Sequence, residues 1–434
     1  MLFSMKPRTS TGEIRARRNV HRFLRMTVGL WLRVRFNITT ENLKLVKNLR
    51  PPYLLLPNHV GYWDPFQLST FIPHPVHHVA ADQNFRTRPV RTVMRLVGAI
   101  PKTKGVSDSE LVRWILKLRD RRRVISLFPE GQRTWDGASL PVLYSTAKLV
   151  KLLRVPVVVP VFKGGYFSHP RWAFKPRRGK LVIEFRHAFS GDELRSLSAD
   201  DIHARLTALI GNDAYEHQAT HMIRFRGRRP AEDIEHVLFI CPSCRSFATL
   251  HSRRRHVTCS ACGYRLVYTD YGYLVPASDR AQHLTIRDLN RSQLEYFAGY
   301  LDGVSAETPV FSEPDTVLST GYRTNPVHRV ATGTLTLYAD RIVFARGGPG
   351  GVLGDGPGLG GGGRGSVGGG PGELVFPLAD IEGLNVQLTR KLELYHRGRL
   401  YTFDPTDRKC SMYKWQVAIE HLTTRQMSDA GFAG

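Results

Sequence analysis

Four short, almost unbroken apolar runs constrain this chain more than any other feature. Residues 53–56, 124–128, 155–162 and 181–185 have strand length, and helical patterns at 88–97, 109–121 and 143–153 lie among them. A strand that is apolar on both faces must be covered on both. Such strands alternating with helices predict an α/β domain, a mostly parallel sheet with helices on both faces. In sheets of this kind ligands bind at the carboxyl ends of the strands.

Two of those ends carry chemistry. Asn58-His59-Val60-Gly61-Tyr62-Trp63-Asp64-Pro65-Phe66 follows the first run, and Phe128-Pro129-Glu130-Gly131-Gln132-Arg133 closes the second. Histidine is the usual general base near neutral pH. A spacing of five is wrong for one face of a regular helix. It works if Gly61 and Pro65 help fold a turn that returns Asp64 to His59, where a carboxylate fixes the tautomer and stabilises the imidazolium. Alone, the pair is a weak signal that reads more readily as a loop histidine and a helix-capping aspartate; it gains its weight from the elements that follow. Gly131 allows close backbone approach to a ligand, and Arg133 can offer a forked contact to phosphate. Gly98-Ala99-Ile100-Pro101-Lys102-Thr103-Lys104-Gly105 adds two point charges after a short strand, Lys102 and Lys104. The Val-Pro-rich strand Val155-Pro156-Val157-Val158-Val159-Pro160-Val161 completes the set.

In this order the four elements resemble the motif set of the 1-acylglycerol-3-phosphate (lysophosphatidic acid) acyltransferase family, over residues 45–215. The resemblance implies transfer of a fatty acyl group from a thioester, acyl-CoA or acyl-carrier protein, to a glycerolipid hydroxyl. It makes His59 the general base, Asp64 its orienting carboxylate, and Glu130, Gly131 and Arg133 acceptor-binding residues, with Lys102 and Lys104 beside the same phosphate. It implies direct attack on the thioester without an acyl-enzyme. Two positions depart from the pattern: Lys104 where the family usually has Arg, and Gln132 where it usually has Thr. Lys104 keeps the charge and loses the bidentate fork, so the acyl-transfer class is better marked than the acceptor.

The net charge of +25 calls for an anionic partner. The first fifty residues hold twelve Lys/Arg and two acidic residues. Within them, 14–36 reads as an amphipathic helix, with Val20, Phe23, Leu24, Thr27, Trp31 and Val34 on one face and Arg15, Arg18, Arg22, Arg25 and Arg33 on the other. Such a helix lies in a membrane interface or docks on its own domain. No apolar run reaches the ~20 residues that span a bilayer, and the first residues lack the apolar core of a signal peptide. The expectation is a cytoplasmic protein, peripheral on the cytoplasmic face of a membrane, with an anionic membrane surface as partner.

Cys241-Pro242-Ser243-Cys244 and Cys259-Ser260-Ala261-Cys262-Gly263 are two Cys-x-x-Cys turns fourteen residues apart. Four thiolates make a closed, structural zinc site, and the segment resembles a zinc ribbon. The nearby Arg253-Arg254-Arg255 suits nucleic acid, a second domain or anionic lipid. The module alone does not choose among these, and for the chain as a whole the expected partner is an anionic membrane surface rather than nucleic acid. Beyond it, 333–344 alternates, further strands follow at 374–376, 391–395 and 399–403, and 412–422 reads as a helix. That pattern resembles a pleckstrin-homology or GRAM-type module.

The expected organisation is a basic amphipathic helix (1–40), an acyltransferase domain (41–225), a zinc ribbon (232–275), a helical connector (276–305) and a small β-rich module (306–425) interrupted by a Gly-rich loop (347–372). The main reading is a lysophosphatidic acid acyltransferase. A second keeps the chemistry and changes the acceptor to another lysophospholipid. A third is a non-catalytic zinc-ribbon protein that binds lipid or nucleic acid. The joint presence of His59, Asp64, Glu130 and Arg133 argues against the third.

Overall fold

The computed structural model describes residues 16–103, 105, 108–347 and 372–429. The Gly-rich loop, apart from its two ends, lies outside them, as does Lys104. Seven strands build the first sheet: β1 (Ile38–Glu41), β2 (Tyr53–Leu55), β3 (Val76–Ala81), β4 (Ile100–Lys102), β5 (Val124–Ser126), β6 (Val157–Lys163) and β7 (Leu181–Phe189). Their order is β1-β7-β6-β2-β5-β3-β4. All neighbours run parallel except β6 and β7.

Alternation within the apolar runs explains why they are unbroken. Tyr53, Leu55, Val158 and Phe162 enter one core, while Leu54, Leu56, Val157, Val159 and Val161 enter a second on the opposite face. Helices Ser109–Asp120, Tyr144–Leu153 and Ala199–Ile210 cover the second core. Helix Asp64–Phe71 and the N-terminal helix cover the first, through Leu68, Leu32 and Phe36. Strands β1 and β3 extend the sheet beyond the expected runs. In β3 the pair His77-His78 breaks the apolar pattern, and their imidazoles are held by Gly98 O and Ser69 Oγ at 2.8 Å each.

The N-terminal helix differs from expectation in the face it buries. It runs as Arg18–Leu24, a π turn at Arg25–Gly29, and Leu30–Arg35. A π turn holds an extra residue and rotates the rest of the helix out of phase. The helix docks through Gly29, Leu32 and Arg25, whose Nε donates to Thr70 O at 3.1 Å. Phe23, Thr27, Trp31 and Val34 of the expected apolar face stay exposed, joined by Met26 and Leu30.

A four-stranded antiparallel sheet of β8 (Leu250–Arg253), β9 (His256–Cys259), β10 (Arg265–Tyr268) and β11 (Leu274–Pro276) carries the cysteines. Helix Ile286–Asp302 follows. The last seven strands are β12 (Phe311–Gly321), β13 (His328–Leu337), β14 (Arg341–Arg346), β15 (Glu373–Pro377), β16 (Ile381–Gln387), β17 (Lys391–His396) and β18 (Arg399–Pro405). They form an antiparallel half-barrel, order β15-β14-β13-β12-β18-β17-β16, closed by helix Met412–Asp429. One apolar core runs from the first sheet through Phe239 and Phe297 to Trp415. The modules are therefore packed together and not strung on linkers. Buried Arg177 shows how: it donates to Phe167 O and Pro230 O and to Tyr268 Oη, and it stacks on Trp172 and Tyr268.

Candidate active site

The loop after β2 is tied down before any ligand is considered. Asn58 pairs with β6: Phe162 N donates to its Oδ1 at 2.7 Å, and its Nδ2 donates to Phe162 O at 3.4 Å. His59 and Asp64 then meet, with Nδ1 2.9 Å from Oδ2. Asp64 is the first residue of its helix. The same Oδ2 accepts from Val60 N and Gly61 N, each at 2.8 Å. The reversal that five residues of spacing demanded is thus made by backbone hydrogen bonds to one carboxylate. Gly61 is required by space, because a Cβ there would lie 2.9 Å from Asp64 Oδ1.

The turn after β5 locks onto this loop. His59 N donates to Glu130 Oε1 at 2.9 Å, Thr134 N donates to His59 O at 3.1 Å, and the His59 ring stacks on Phe128 at 3.9 Å. Glu130 is buried, and its other oxygen accepts Leu140 N at 3.0 Å. The carboxylate is spent on two backbone groups beneath the loop and does not line the cavity. Burial pushes its pKa up to about 7, against the pull of those two N–H groups.

Above the loop opens a mostly apolar cavity of about 1200 Å³. Val79, Met94, Leu111, Leu127 and Leu149 belong to its apolar wall, with Leu24 and Val28 of the N-terminal helix. His59, Lys102, Gly131, Arg133 and Arg171 supply its polar part. The structure so brings together His59, Asp64, Gly131, Arg133 and Lys102 and sets Glu130 behind them. Gly131 has φ +72, a left-handed conformation that a glycine takes without strain.

Arg133 and Arg171 form the basic end. The Arg133 guanidinium makes no hydrogen bond or ion pair among the described residues, and burial lowers its pKa while the Asp64 carboxylate opposes that. Arg171, missed by sequence reasoning, is 4% exposed and stacks 4.0 Å over Trp135. It donates to Gln132 Oε1 at 3.2 Å, Arg133 O at 3.0 Å, Val386 O at 2.9 Å and Leu388 O at 3.5 Å. Gln132 also accepts from Gln416 Nε2 at 3.4 Å. The unusual residue in the Phe-Pro-Glu-Gly-Gln-Arg turn is a bridge to the C-terminal module. No motif surrounds Arg171, so no sequence signal could have found it.

The four cysteines lie apart from this cavity. Their sulfurs all fall within 4.8 Å of one another. Cys241–Cys262 and Cys244–Cys259 are each 3.8 Å apart, which is about the edge of a tetrahedron with 2.3 Å metal–sulfur bonds. Gly263, at φ +73, makes the second turn.

Part of the chain is similar to known proteins. The acyltransferase family model matches residues 35–163, the stretch from β1 to the end of β6. The 1-acyl-sn-glycerol-3-phosphate acyltransferase of Bacillus subtilis (strain 168) is 20% identical over 154 residues, which is 34% of this chain and 75% of that protein. The crystal structure of the lysophosphatidic acid acyltransferase PlsC from Thermotoga maritima aligns at a TM-score of 0.40 and 14% identity, over 48% of this chain and 83% of the other. Residues 35–163 thus form an acyltransferase domain, and the protein is an acyltransferase.

Glu130 sets a pH dependence. Its folded pKa, about 7, lies above the ordinary 4.5, so the native state binds the proton more tightly. Stability from this group is greatest below the unfolded pKa and declines as pH rises towards 7. Between pH 5 and pH 8 the loss is roughly 2–3 kcal/mol. Glu130→Gln should flatten the fall in melting temperature over that interval; an unchanged slope in scanning calorimetry would contradict the assignment.

Proposed function

We propose that the protein transfers a fatty acyl group from an acyl thioester, acyl-CoA or acyl-carrier protein, to the hydroxyl of lysophosphatidic acid, giving phosphatidic acid. The observation that carries this reading is the 2.9 Å contact of Asp64 with His59 Nδ1 at a cavity that is apolar in one part and basic in another. With Nδ1–H donating to the carboxylate, Nε2 holds the lone pair. It takes the proton of the acceptor hydroxyl as that oxygen attacks the thioester carbonyl. The tetrahedral adduct then expels the thiolate, which recovers the proton from the imidazolium. Asp64 stabilises the imidazolium between these steps. The apolar wall suits acyl chains. Arg133, a guanidinium with no hydrogen bond or ion pair among the described residues, suits the phosphate of the acceptor, because its forked donors can pair with two phosphate oxygens. Lys102 and Lys104 are proposed to add to that positive field.

Wild-type protein with labelled acyl-CoA and lysophosphatidic acid in mixed micelles should form phosphatidic acid. His59→Ala should reduce the rate by a factor of about 10²–10⁴. Equal rates in the two proteins would remove the general-base reading, and transfer only to other lysolipids would change the acceptor.

We propose further that Cys241, Cys244, Cys259 and Cys262 hold one structural zinc ion. The sulfur–sulfur spacing and the all-thiolate donor set support it. A closed site of this kind supplies fold stability and no chemistry to the cavity. Purified protein should contain one equivalent of zinc, and Cys241→Ser should lose it with a lower melting temperature. Unchanged metal content in that variant would exclude the site.

The membrane reading rests on the N-terminal helix. Phe23 (65% exposed) and Trp31 (51% exposed) project beside Met26, Leu30 and Val34, with Arg22 and Arg33 also exposed on the same helix. The helix also lines the cavity, which would bring a lipid acceptor from the bilayer to His59. A location on the cytoplasmic face fits this arrangement, and the half-barrel with its closing helix is compatible with a pleckstrin-homology or GRAM-type role. Phe23→Ser/Trp31→Ser should bind anionic phosphatidylglycerol vesicles at least tenfold more weakly in a sedimentation assay. Undiminished binding would refute the helix as anchor.

A further inference from the structure

Among the described residues, the C-terminal half-barrel reaches into the active-site cavity at the hairpin between β16 and β17. Gln387 pairs with Lys391 across it, leaving Leu388, Thr389 and Arg390 as the turn. Leu388 is at φ +54, a backbone conformation rare for a bulky non-glycine residue. It is 55% exposed and yet lines the cavity that contains His59, Gly131 and Arg133. Strain and exposure of an apolar side chain are both unfavourable to folding. A glycine there would avoid both. Leucine at such a position points to a use for the side chain.

The hairpin is held firmly enough to act as a wall. Arg171 donates to Val386 O and Leu388 O on the hairpin while donating to Gln132 Oε1 and Arg133 O on the acceptor turn. On the other side, Tyr395 Oη donates to Asp82 at 2.7 Å, and Arg86 pairs with both Asp82 and Glu393. Gly105 packs directly on the half-barrel, since a Cβ there would lie 2.6 Å from Gly383 Cα. The basic end of the cavity is thus bounded by two modules, and the half-barrel presents the apolar side chain of Leu388 to the cavity.

We propose that Leu388 is a specificity-determining residue that limits the acceptor headgroup to a phosphate monoester, by occupying the space a phosphodiester alcohol would need. The inference rests on the acyl-transfer reading above. A monoester places all its charge against Arg133 and ends there. A phosphodiester with a choline head must pass Leu388 and leave its polar group against an apolar surface.

The test measures kcat/KM for lysophosphatidic acid and for lysophosphatidylcholine with the full chain and with Leu388→Gly. Glycine tolerates the φ, so the variant should melt at or above the wild-type temperature. The ratio of the choline ester to the monoester should rise about tenfold or more, through KM for the choline ester. An unchanged ratio, or both substrates falling by one factor, overturns the proposal while leaving acyl transfer intact. Wild-type protein that acylates neither lysolipid overturns it together with the acyl-transfer reading.

Discussion

Asp64 Oδ2 accepts Val60 N and Gly61 N and meets His59 Nδ1, so a single buried oxygen sets both the path of the loop and the orientation of the ring. Hydrogen bonds to a charged acceptor are among the stronger ones in a fold, and three on one atom leave the loop little freedom. Everything else at the site is registered to that loop. Asn58 fixes it to β6, Glu130 and Thr134 fix it to the turn after β5, and Phe128 supports the imidazole from beneath. The motif residues are therefore mostly a clamp, and the few atoms left facing the cavity inherit their positions from it.

The excess positive charge is handled in an ordered way inside the molecule. Arg177 and Arg171 are both buried without a carboxylate partner among the described residues. Each donates to carbonyls and to hydroxyl or amide oxygens from two modules, and each lies over an aromatic ring, although Arg177 Nε is buried with no acceptor among the described residues. Guanidinium suits this role because its donors fan out in a plane and its charge is weakly hydrated. These two arginines fasten the cysteine module and the half-barrel to the first domain. Arg133 differs, for it has no such fastening and faces the cavity.

Much of this was legible in the sequence where the cause is local. The apolar runs at β2, β5, β6 and β7 have two covered faces and say so. His59 and Asp64 are five residues apart, and the turn that joins them needs only its own backbone. The N-terminal helix was legible as a helix but not in its buried face, because a 100° wheel takes no account of the π turn at Arg25–Gly29. Strand β3 was hidden by His77 and His78, whose polarity is neutralised by partners elsewhere in the fold. The motif placed Glu130 with the acceptor, whereas its neighbours in space are His59 N and Leu140 N.

Arg171 and Leu388 are the opposite case. Arg171 lies 217 residues from Leu388 in sequence, and neither carries a motif. What each does arises only from the packing of the half-barrel against the first domain. Gln132 shows the same dependence from the other direction. As a sequence it is a departure from a family pattern; in the fold it accepts from Arg171 and from Gln416 of the last helix. A turn that in a single domain would face only ligand here also bears a second module. A residue able to accept two donors is better suited to that position than a short hydroxyl. The basic end of the cavity is thus a property of the assembled chain, and an isolated first domain would present the same His59 and Asp64 to a cavity with one wall missing.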